Sequence, residues 1–389
     1  MEKFNQEFRD RQIAITSDIE GGNAYDFKKY PGNIYSFTPR RDPGENYSGQ
    51  VYYFKLQVEN LQKDIANVTI TAIADYDEIW KGWQPSLNPK IWIFSPNRLK
   101  IPEILTQDRV KSTPRSMSIN LTLQPFEKII ISNMFTPPYS ELVQELHDLA
   151  ETYPTFLKLN EIGQSPLGNK MYSIRVNPQG ESDNLFKILV GGTSQANEFG
   201  DYAAIVILQG FLDMGAVFWD NFTTKFSLEF IFFQNPDGMV QGMNMVNANR
   251  ENLFFSHFHE NQSMPLENEI IWNHIKANPP ELYLEMHSFF QDHKTIRPYL
   301  YPLELLSEKK NRKFYLKIAK ALVKYSNGMK EEIHLNQKYF QDTLCYRLME
   351  KFQTYSFQYK LHSGMSINQK KLIAWDVFYL CIKNLKKMV

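Results

Sequence analysis

The 389-residue sequence lacks several features that define common protein classes. It has only two cysteines, Cys345 and Cys381, which excludes a disulfide scaffold or a thiolate zinc cluster and indicates a reducing compartment. No apolar run approaches the roughly 18–20 residues of a membrane span, and the first eleven residues are too charged for a signal peptide. Lysine plus arginine (43) equal aspartate plus glutamate (43), so no global field favours nucleic acid or an anionic membrane. We therefore expect a soluble cytoplasmic protein that binds neither.

The first 134 residues have the pattern of a β-protein. Short segments rich in branched and aromatic residues are separated by turn residues such as those at 43–46 and 85–89. The predicted strands are residues 51–58, 68–73, 91–94, 118–123 and 129–131. Several short strands at this spacing predict a β-sandwich over residues 1–134.

Beyond Thr136-Pro137-Pro138 the pattern changes to alternating helices and strands. A helix is predicted over residues 140–152, with Ser140 as a plausible N-cap. Further predicted strands are residues 186–190, 226–233 and 282–286, and further predicted helices are residues 202–214, 267–277, 308–326 and 371–387. This alternation predicts an α/β domain over residues 135–389, in which helices cover both faces of a mixed β-sheet.

Three polar residues near strand ends form a candidate metal site. Gln195 and Glu198 follow an apolar run and a Gly-Gly turn, just before a helical pattern, and His287 ends a second strand-like run. Glutamine, glutamate and histidine can together form a three-ligand site with an open position. Taken alone, His287 is better explained as a buried histidine with satisfied hydrogen bonds. Glu285 shares its strand face and either orients the imidazole or faces solvent.

The part of the chain from about residue 139 to the end resembles a known family, the zinc carboxypeptidases of the funnelin type, peptidase family M14. The resemblance is carried, in order, by Ile162–Lys170, Gly191–Glu198, the unchanged N-P-D-G of Asn235–Gly238, His287-Ser288 and Tyr355–Leu361. It implies a carboxypeptidase-like fold with zinc held by Gln195, Glu198 and His287. The N-terminal region resembles the small β-domain that precedes the catalytic domain in cytosolic carboxypeptidases.

The departures from the family pattern fall on its functional positions. Gln195 stands where the family has its first zinc-binding histidine, and Lys360 stands at the position of the general-base glutamate. Met245 occupies the position of the arginine that stabilises the transition state. Phe254 and Phe255 replace the asparagine and arginine that bind the terminal carboxylate of the substrate. A lysine beside Glu198 stays charged and is a poor base. Loss of the positive charge that stabilises the oxyanion costs by itself on the order of 10²–10³ in rate.

Two further residues take their predicted roles from the same resemblance. Tyr339 lies near the position of the family's mobile tyrosine, and Asn252, like Glu285, is expected to support the site from outside the ligand set. The basic run Lys309–Lys313 is interpreted as a solvated helix face.

Two functional hypotheses remain open at this point. In the first, the chain has lost standard carboxypeptidase activity and is a pseudoenzyme or binding module that holds a peptide or protein ligand in the cleft. In the second, it is an active metallohydrolase, an amidase or peptidase with an altered Gln/Glu/His metal site and a changed substrate. Zinc at this site belongs to the second hypothesis. In the first, the Lys360 ammonium replaces the ion and pairs with Glu198. The sequence indicates no oligomeric state.

Overall fold

The computed structural model describes residues 6–43, 53–74, 90–96, 98–135, 137–177, 185–257, 263–289, 297–326, 333–334 and 338–386. Within these ranges the strands of the N-terminal part are β1 (Glu7–Arg9), β2 (Ile13–Thr16), β3 (Tyr25–Tyr30), β4 (Ile34–Thr38), β5 (Lys55–Asn60), β6 (Ala66–Ile73), β7 (Trp92–Ser95), β8 (Arg98–Ile104), β9 (Val110–Ser112), β10 (Ser116–Leu123) and β11 (Lys128–Ser132). The first two residues of the predicted strand 51–58 lie outside the described residues.

The same ranges contain the elements of the C-terminal part. Its strands are β12 (Leu157–Gln164), β13 (Lys170–Val176), β14 (Phe186–Gly191), β15 (Phe226–Phe232), β16 (Leu282–Phe289), β17 (Arg297–Leu300), β18 (Ile333–His334) and β19 (Tyr355–His362). Its helices are α1 (Tyr139–Thr152), α2 (Gly200–Asp213), α3 (Ala216–Thr223), α4 (Pro236–Gln241), α5 (Leu266–Ala277), α6 (Lys309–Tyr325), α7 (Leu344–Phe352) and α8 (Ile367–Leu385). Residue 387, the predicted end of the last helix, is outside the described residues.

The N-terminal part consists of two packed sheets. The described strands form one sheet in the order β1-β2-β5-β11-β7-β8 and another in the order β3-β4-β6-β10-β9. Strand β10 shows the alternation that makes such a layer: Met117, Ile119, Leu121 and Leu123 are buried, while the residues between them are more exposed. The sandwich predicted from the sequence is therefore present.

The C-terminal part is built on a mixed sheet in the order β12-β13-β15-β14-β16-β19-β17-β18. Neighbouring strands are parallel within the central group β15-β14-β16-β19. Strands β12 and β13 pair antiparallel, and β17 pairs antiparallel with β19 and parallel with β18. Successive residues of β19 face opposite layers: the Tyr359 hydroxyl lies 2.9 Å from Ser326 Oγ at the end of α6, while Gln358 and Lys360 face the other side. There the thiol of Cys345 in α7 donates to Glu285 Oε2 of β16 at 3.1 Å. Helices cover both faces, which confirms the predicted fold class.

The sandwich and the α/β part share buried surface. Strand β11 ends at Ser132 and α1 begins at Tyr139, on either side of the predicted boundary at residue 134. Trp92, Phe94 and Phe135 nevertheless belong to the same hydrophobic cluster as the α/β sheet. The division into two domains at this boundary stays a prediction.

Within the described residues, no single helix has the length and hydropathy of a membrane span. The helices α2 and α3, which are bent by 107° relative to each other, meet those limits only when they are taken as a pair, and only by length and composition.

Candidate metal centre and cleft

The candidate site lies where β14 and β16 end at the same edge of the sheet. After β14, the chain turns at Gly192, where an added Cβ would lie 1.9 Å from Asp201 Oδ1 at the start of α2. Glycine is therefore required for the close approach of this loop to the helix. Asn197 adopts a left-handed conformation (φ 61°), and its Nδ2 donates to the Met243 carbonyl at 2.7 Å. These contacts fix the short loop that carries Gln195 and Glu198.

The three predicted metal ligands converge on one nitrogen of His287. Nδ1 lies 3.0 Å from Gln195 Oε1 and 3.3 Å from Glu198 Oε2. Thr193 Oγ1, which the sequence did not single out, lies 2.9 Å from the same nitrogen. All four side chains are buried or nearly so. The structure thus brings together the residues that the sequence proposed as a ligand set.

The other edge of the imidazole faces a second carboxylate. Glu285 is buried, with Oε1 3.2 Å from His287 Nε2, so of the two alternatives for Glu285 the orienting position is the one observed. Gln358 of β19 also places its amide 2.8 Å from Nε2. Burial lowers the pKa of His287, but the carboxylates of Glu285 and Glu198 outweigh burial, so the pKa is raised overall.

The environment of Nδ1 favours a proton or a metal ion on this nitrogen. The carboxylate and amide oxygens of Glu198 and Gln195 can only accept hydrogen bonds there, whereas the Thr193 hydroxyl can either donate or accept. Donors around a tetrahedral zinc, at about 2.0–2.2 Å from the metal, lie roughly 3.4 Å apart, close to the observed 3.0 and 3.3 Å. The residues therefore fit a metal in donor type and spacing, although a neutral amide oxygen is a weaker zinc ligand than imidazole. In the described part of the chain, no group of three or more His, Cys, Asp or Glu side chains is arranged to hold a metal.

Lys360 lies beside the ligand set without joining it. It pairs in register with His287 across β16 and β19, and its ammonium lies over the rings of Phe254 (5.5 Å) and Tyr299 (5.2 Å). Among the described residues, no carboxylate is within ion-pair distance of this ammonium. The hypothesis that Lys360 pairs with Glu198 was therefore wrong, because Glu198 Oε2 accepts from the Ser288 amide at 2.7 Å and contacts His287.

Two of the positions at which the family binds substrate are filled by buried apolar side chains. Met245 and Phe254 are each 3% exposed, and Phe255 is half-buried. The Phe254 ring packs edge-on against His287 at 5.2 Å and against Phe255 at 4.6 Å. Asn252 contacts this segment, since its Oδ1 accepts from the Phe254 amide at 3.2 Å. Asn252 therefore caps the short 3-10 helix Leu253–Phe255 and fixes Phe254.

The Met245 segment is held by the N-terminal sandwich. Asp42 Oδ2 accepts from the amides of Met245 (2.5 Å) and Val246 (3.1 Å), and Oδ1 accepts from the amide and side chain of Asn244 (2.7 and 2.9 Å). Burial raises the pKa of Asp42 to about 6 even though these four hydrogen bonds pull it down. No local signal identifies this contact in the sequence, because it joins residues about 200 positions apart.

The remaining predicted residue, Tyr339, falls in the short 3-10 helix Lys338–Asp342, and its side chain lies outside the described residues. The residues that sequence reasoning missed at the site are Thr193, Tyr299 and Gln358. Gln358 was detectable in principle, since it lies two residues before Lys360 and so shares its strand face.

Comparison with known proteins gives a family match for part of the chain. Residues 142–254 match the family model Peptidase M14, zinc carboxypeptidase. No curated protein sequence matches the chain significantly.

Similar solved structures cover almost the whole chain. A metallo-carboxypeptidase from Burkholderia cenocepacia has a TM-score of 0.79 at 13% identity, covering 97% of this chain and 100% of its own. A putative carboxypeptidase A from Shewanella denitrificans has a TM-score of 0.76 at 16% identity, covering 95% and 98%. A metallo-carboxypeptidase from Pseudomonas aeruginosa, in complex with (2-guanidinoethylmercapto)succinic acid, has a TM-score of 0.75 at 11% identity, covering 96% and 100%. At these identities the likeness establishes the fold, and the family-model match over residues 142–254 supports membership of the zinc carboxypeptidase family, peptidase M14.

Proposed function

We propose that this chain is a carboxypeptidase-like binding protein that does not remove C-terminal residues, and that its cleft holds a peptide or protein ligand. The observation that carries the proposal is the position of Lys360. Its ammonium lies over two aromatic rings beside His287, where the family has a carboxylate that activates water.

A lysine in this position does not replace a general base. A base must hold a lone pair near neutral pH, and the neighbouring aromatic faces favour the charged ammonium. The same charge opposes the imidazolium or a metal ion on His287, because Lys360 acts to lower the pKa of that histidine. Lys360 is therefore not expected to activate water.

The substrate-binding positions support the same proposal. Recognition of a free C-terminal carboxylate uses a bidentate arginine contact, and Phe254 and Phe255 supply none. Buried Met245 offers no positive charge to a developing oxyanion. Of the rings of Phe254 and Phe255, only that of Phe255 is partly exposed, and it favours a ligand that presents an apolar side chain.

One observation favours the alternative, an active metallohydrolase with an altered metal site. The oxygens of Gln195 and Glu198 already lie around His287 Nδ1 at distances that suit zinc. When bound there, zinc would supply a Lewis acid, and Gln195, Glu198 and His287 would hold it while Glu285 orients His287. The substrate would then be an amide without a free terminal carboxylate.

The cytoplasmic location stays a prediction, with which the two free, buried cysteines agree.

Metal content and hydrolysis separate the two functions. The purified chain is dialysed against zinc and assayed for bound metal, and for cleavage of peptides with free and with amidated C-termini. We expect no terminal residue to be released from either peptide. The double variant Gln195→His/Lys360→Glu restores the family's ligand and base, so we expect it to bind zinc more tightly than the wild-type chain.

Gln195→Ala tests the site, and Gln144→Ala, at an exposed position on α1, is its matched control. Stoichiometric zinc in the wild-type chain, together with peptide cleavage that Gln195→Ala abolishes and Gln144→Ala retains, would establish the metallohydrolase and overturn the proposal. Zinc without cleavage of either peptide would leave the binding function standing.

A further inference from the structure

The outer face of α6 carries a continuous row of cations. The helix contains no acidic residue, and its exposed lysines are Lys309, Lys310, Lys313, Lys317, Lys320 and Lys324. Steps of three and four residues place these side chains on one side of a helix. From Lys310 to Lys324 the row extends about 21 Å at ~1.5 Å per residue. These six residues are called the lysine stripe below.

The lysine stripe is unfavourable for the helix that carries it. Lys309 and Lys310 lie in the first turn, where the helix macrodipole disfavours positive charge. Lysines four residues apart, such as Lys313 and Lys317, repel each other. In the described structure, no member of the lysine stripe has a carboxylate within ion-pair distance. A chain with balanced total charge has thus collected uncompensated cations on one helix face, and an anionic partner would relieve their repulsion.

The composition of this surface suits a narrow ligand. The first half of the lysine stripe borders a shallow, open depression of about 460 Å³, lined by four of its lysines and by Phe314. Phe314 is buried, and none of the exposed large hydrophobic side chains lies on α6. A bilayer surface is better matched by a broad cationic face with apolar side chains for insertion, and single-stranded nucleic acid by exposed aromatic rings. The exposed carboxylates of Glu304 and Glu308 near the start of the helix also oppose a wide anionic surface.

The lysine stripe runs toward the edge of the sheet that carries the candidate site. Tyr315 stacks on Phe357 at 4.5 Å, and Ser326, just past the end of α6, contacts Tyr359. The helix therefore follows β19 in the direction of Lys360. A chain bound along the lysine stripe would approach the site end of the molecule from outside the cleft.

We propose that the lysine stripe docks an extended acidic segment of a partner protein. Fully extended chain spans at most about 3.3–3.6 Å per residue, so some six residues cover the stripe. Their carboxylates pair with the lysine ammonium groups, and the peptide backbone lies along the open surface beside Phe314. This docking does not depend on what the cleft holds or on whether His287 binds a metal.

The test uses the full chain and a fluorescein-labelled peptide of alternating Asp and Ser residues, acetylated and amidated so that it has no free terminal carboxylate. Binding is followed by fluorescence anisotropy at low and at physiological salt. We expect the triple variant Lys313→Gln/Lys317→Gln/Lys320→Gln to weaken binding at least about tenfold, a loss of roughly 1.4 kcal/mol, and added salt to weaken it further. Because like-charge repulsion is reduced, thermal unfolding of this variant should occur at the same or a higher temperature.

The matched control removes three exposed lysines elsewhere, as Lys63→Gln/Lys111→Gln/Lys276→Gln. It makes the same change in net charge and should keep the wild-type affinity. The proposal is overturned if both triple variants lose affinity equally, or if the peptide does not bind at low salt. It is also overturned if phosphatidylserine vesicles or an oligothymidylate bind the lysine stripe more tightly than the acidic peptide does.

Discussion

At the scale of single residues, the candidate site concentrates buried carboxylates around one imidazole. Glu198 and Glu285 lie at opposite edges of the His287 ring. Asp201 is also buried nearby, and burial, with a smaller contribution from the two glutamates, raises its pKa to about 7. One cation on His287, a proton or a metal, therefore stabilises several acidic groups that burial would otherwise destabilise.

Glu285→Gln tests this arrangement. The carboxylate of Glu285 is the largest contribution that raises the pKa of His287, so replacing it with a neutral amide of the same shape should lower that pKa. The pKa is read from the imidazole chemical shifts of the metal-free chain as a function of pH. Glu304→Gln, at an exposed position, is the control and should leave the titration unchanged. An unaltered His287 titration in Glu285→Gln would show that Glu285 does not govern its charge.

At the scale of secondary-structure elements, the segment after α4 depends on the N-terminal sandwich. Four hydrogen bonds from residues 244–246 converge on the buried carboxylate of Asp42. Gly21 of the sandwich part also donates to the Val240 carbonyl at 2.8 Å. The sandwich thereby fixes the position of Met245, one of the residues by which this site departs from the zinc carboxypeptidase pattern.

Asp42→Ala should destabilise the chain. The substitution leaves three backbone amides and one side-chain amide without their acceptor in a buried location, which costs on the order of 3 kcal/mol after partial relaxation. Urea denaturation gives the loss in free energy of unfolding, and hydrogen exchange should show faster exchange at residues 244–246. Asp18→Ala, at an exposed position in the same part of the chain, should change neither. Equal stability of the two variants would contradict the role given to Asp42.

The elements that the sequence located are those whose signal is local. The apolar runs at 186–190, 226–233 and 282–286 correspond to β14, β15 and β16, because strands buried on both faces leave uninterrupted hydrophobic segments. The short, half-exposed strands β1 and β3 leave no such run and were missed. Likewise, the ligand set followed from motif order, whereas the direction of the Lys360 side chain and the contact of Asp42 depend on packing between distant segments.

At the scale of the whole molecule, a charged side chain lies buried where the sandwich meets the α/β part. Lys370 of α8 is 2% exposed, and its ammonium lies 4.9 Å from the ring of Phe199 and 5.9 Å from that of Trp92 in the sandwich. Burial, assisted by repulsion from Lys90, lowers the pKa of Lys370 to about 7. This residue should therefore contribute to the dependence of stability on pH.

Lys370→Met tests that dependence. Between about pH 7 and pH 10, Lys370 holds its proton in the unfolded wild-type chain and has released it in the folded chain, so this group makes stability rise with pH. Below pH 7, Lys370 is protonated in both states, and the cost of burying its charge in the folded chain is complete. Methionine removes the penalty, so we expect the variant to be more stable at pH 7 by about 1–4 kcal/mol and to show a shallower rise toward pH 9.5. Urea denaturation across this range measures both quantities, with the partly exposed neighbour Lys371→Met as the control. If Lys370→Met and the wild-type chain follow parallel stability curves, the Lys370 ammonium is hydrated in the folded chain and does not couple the interface to pH.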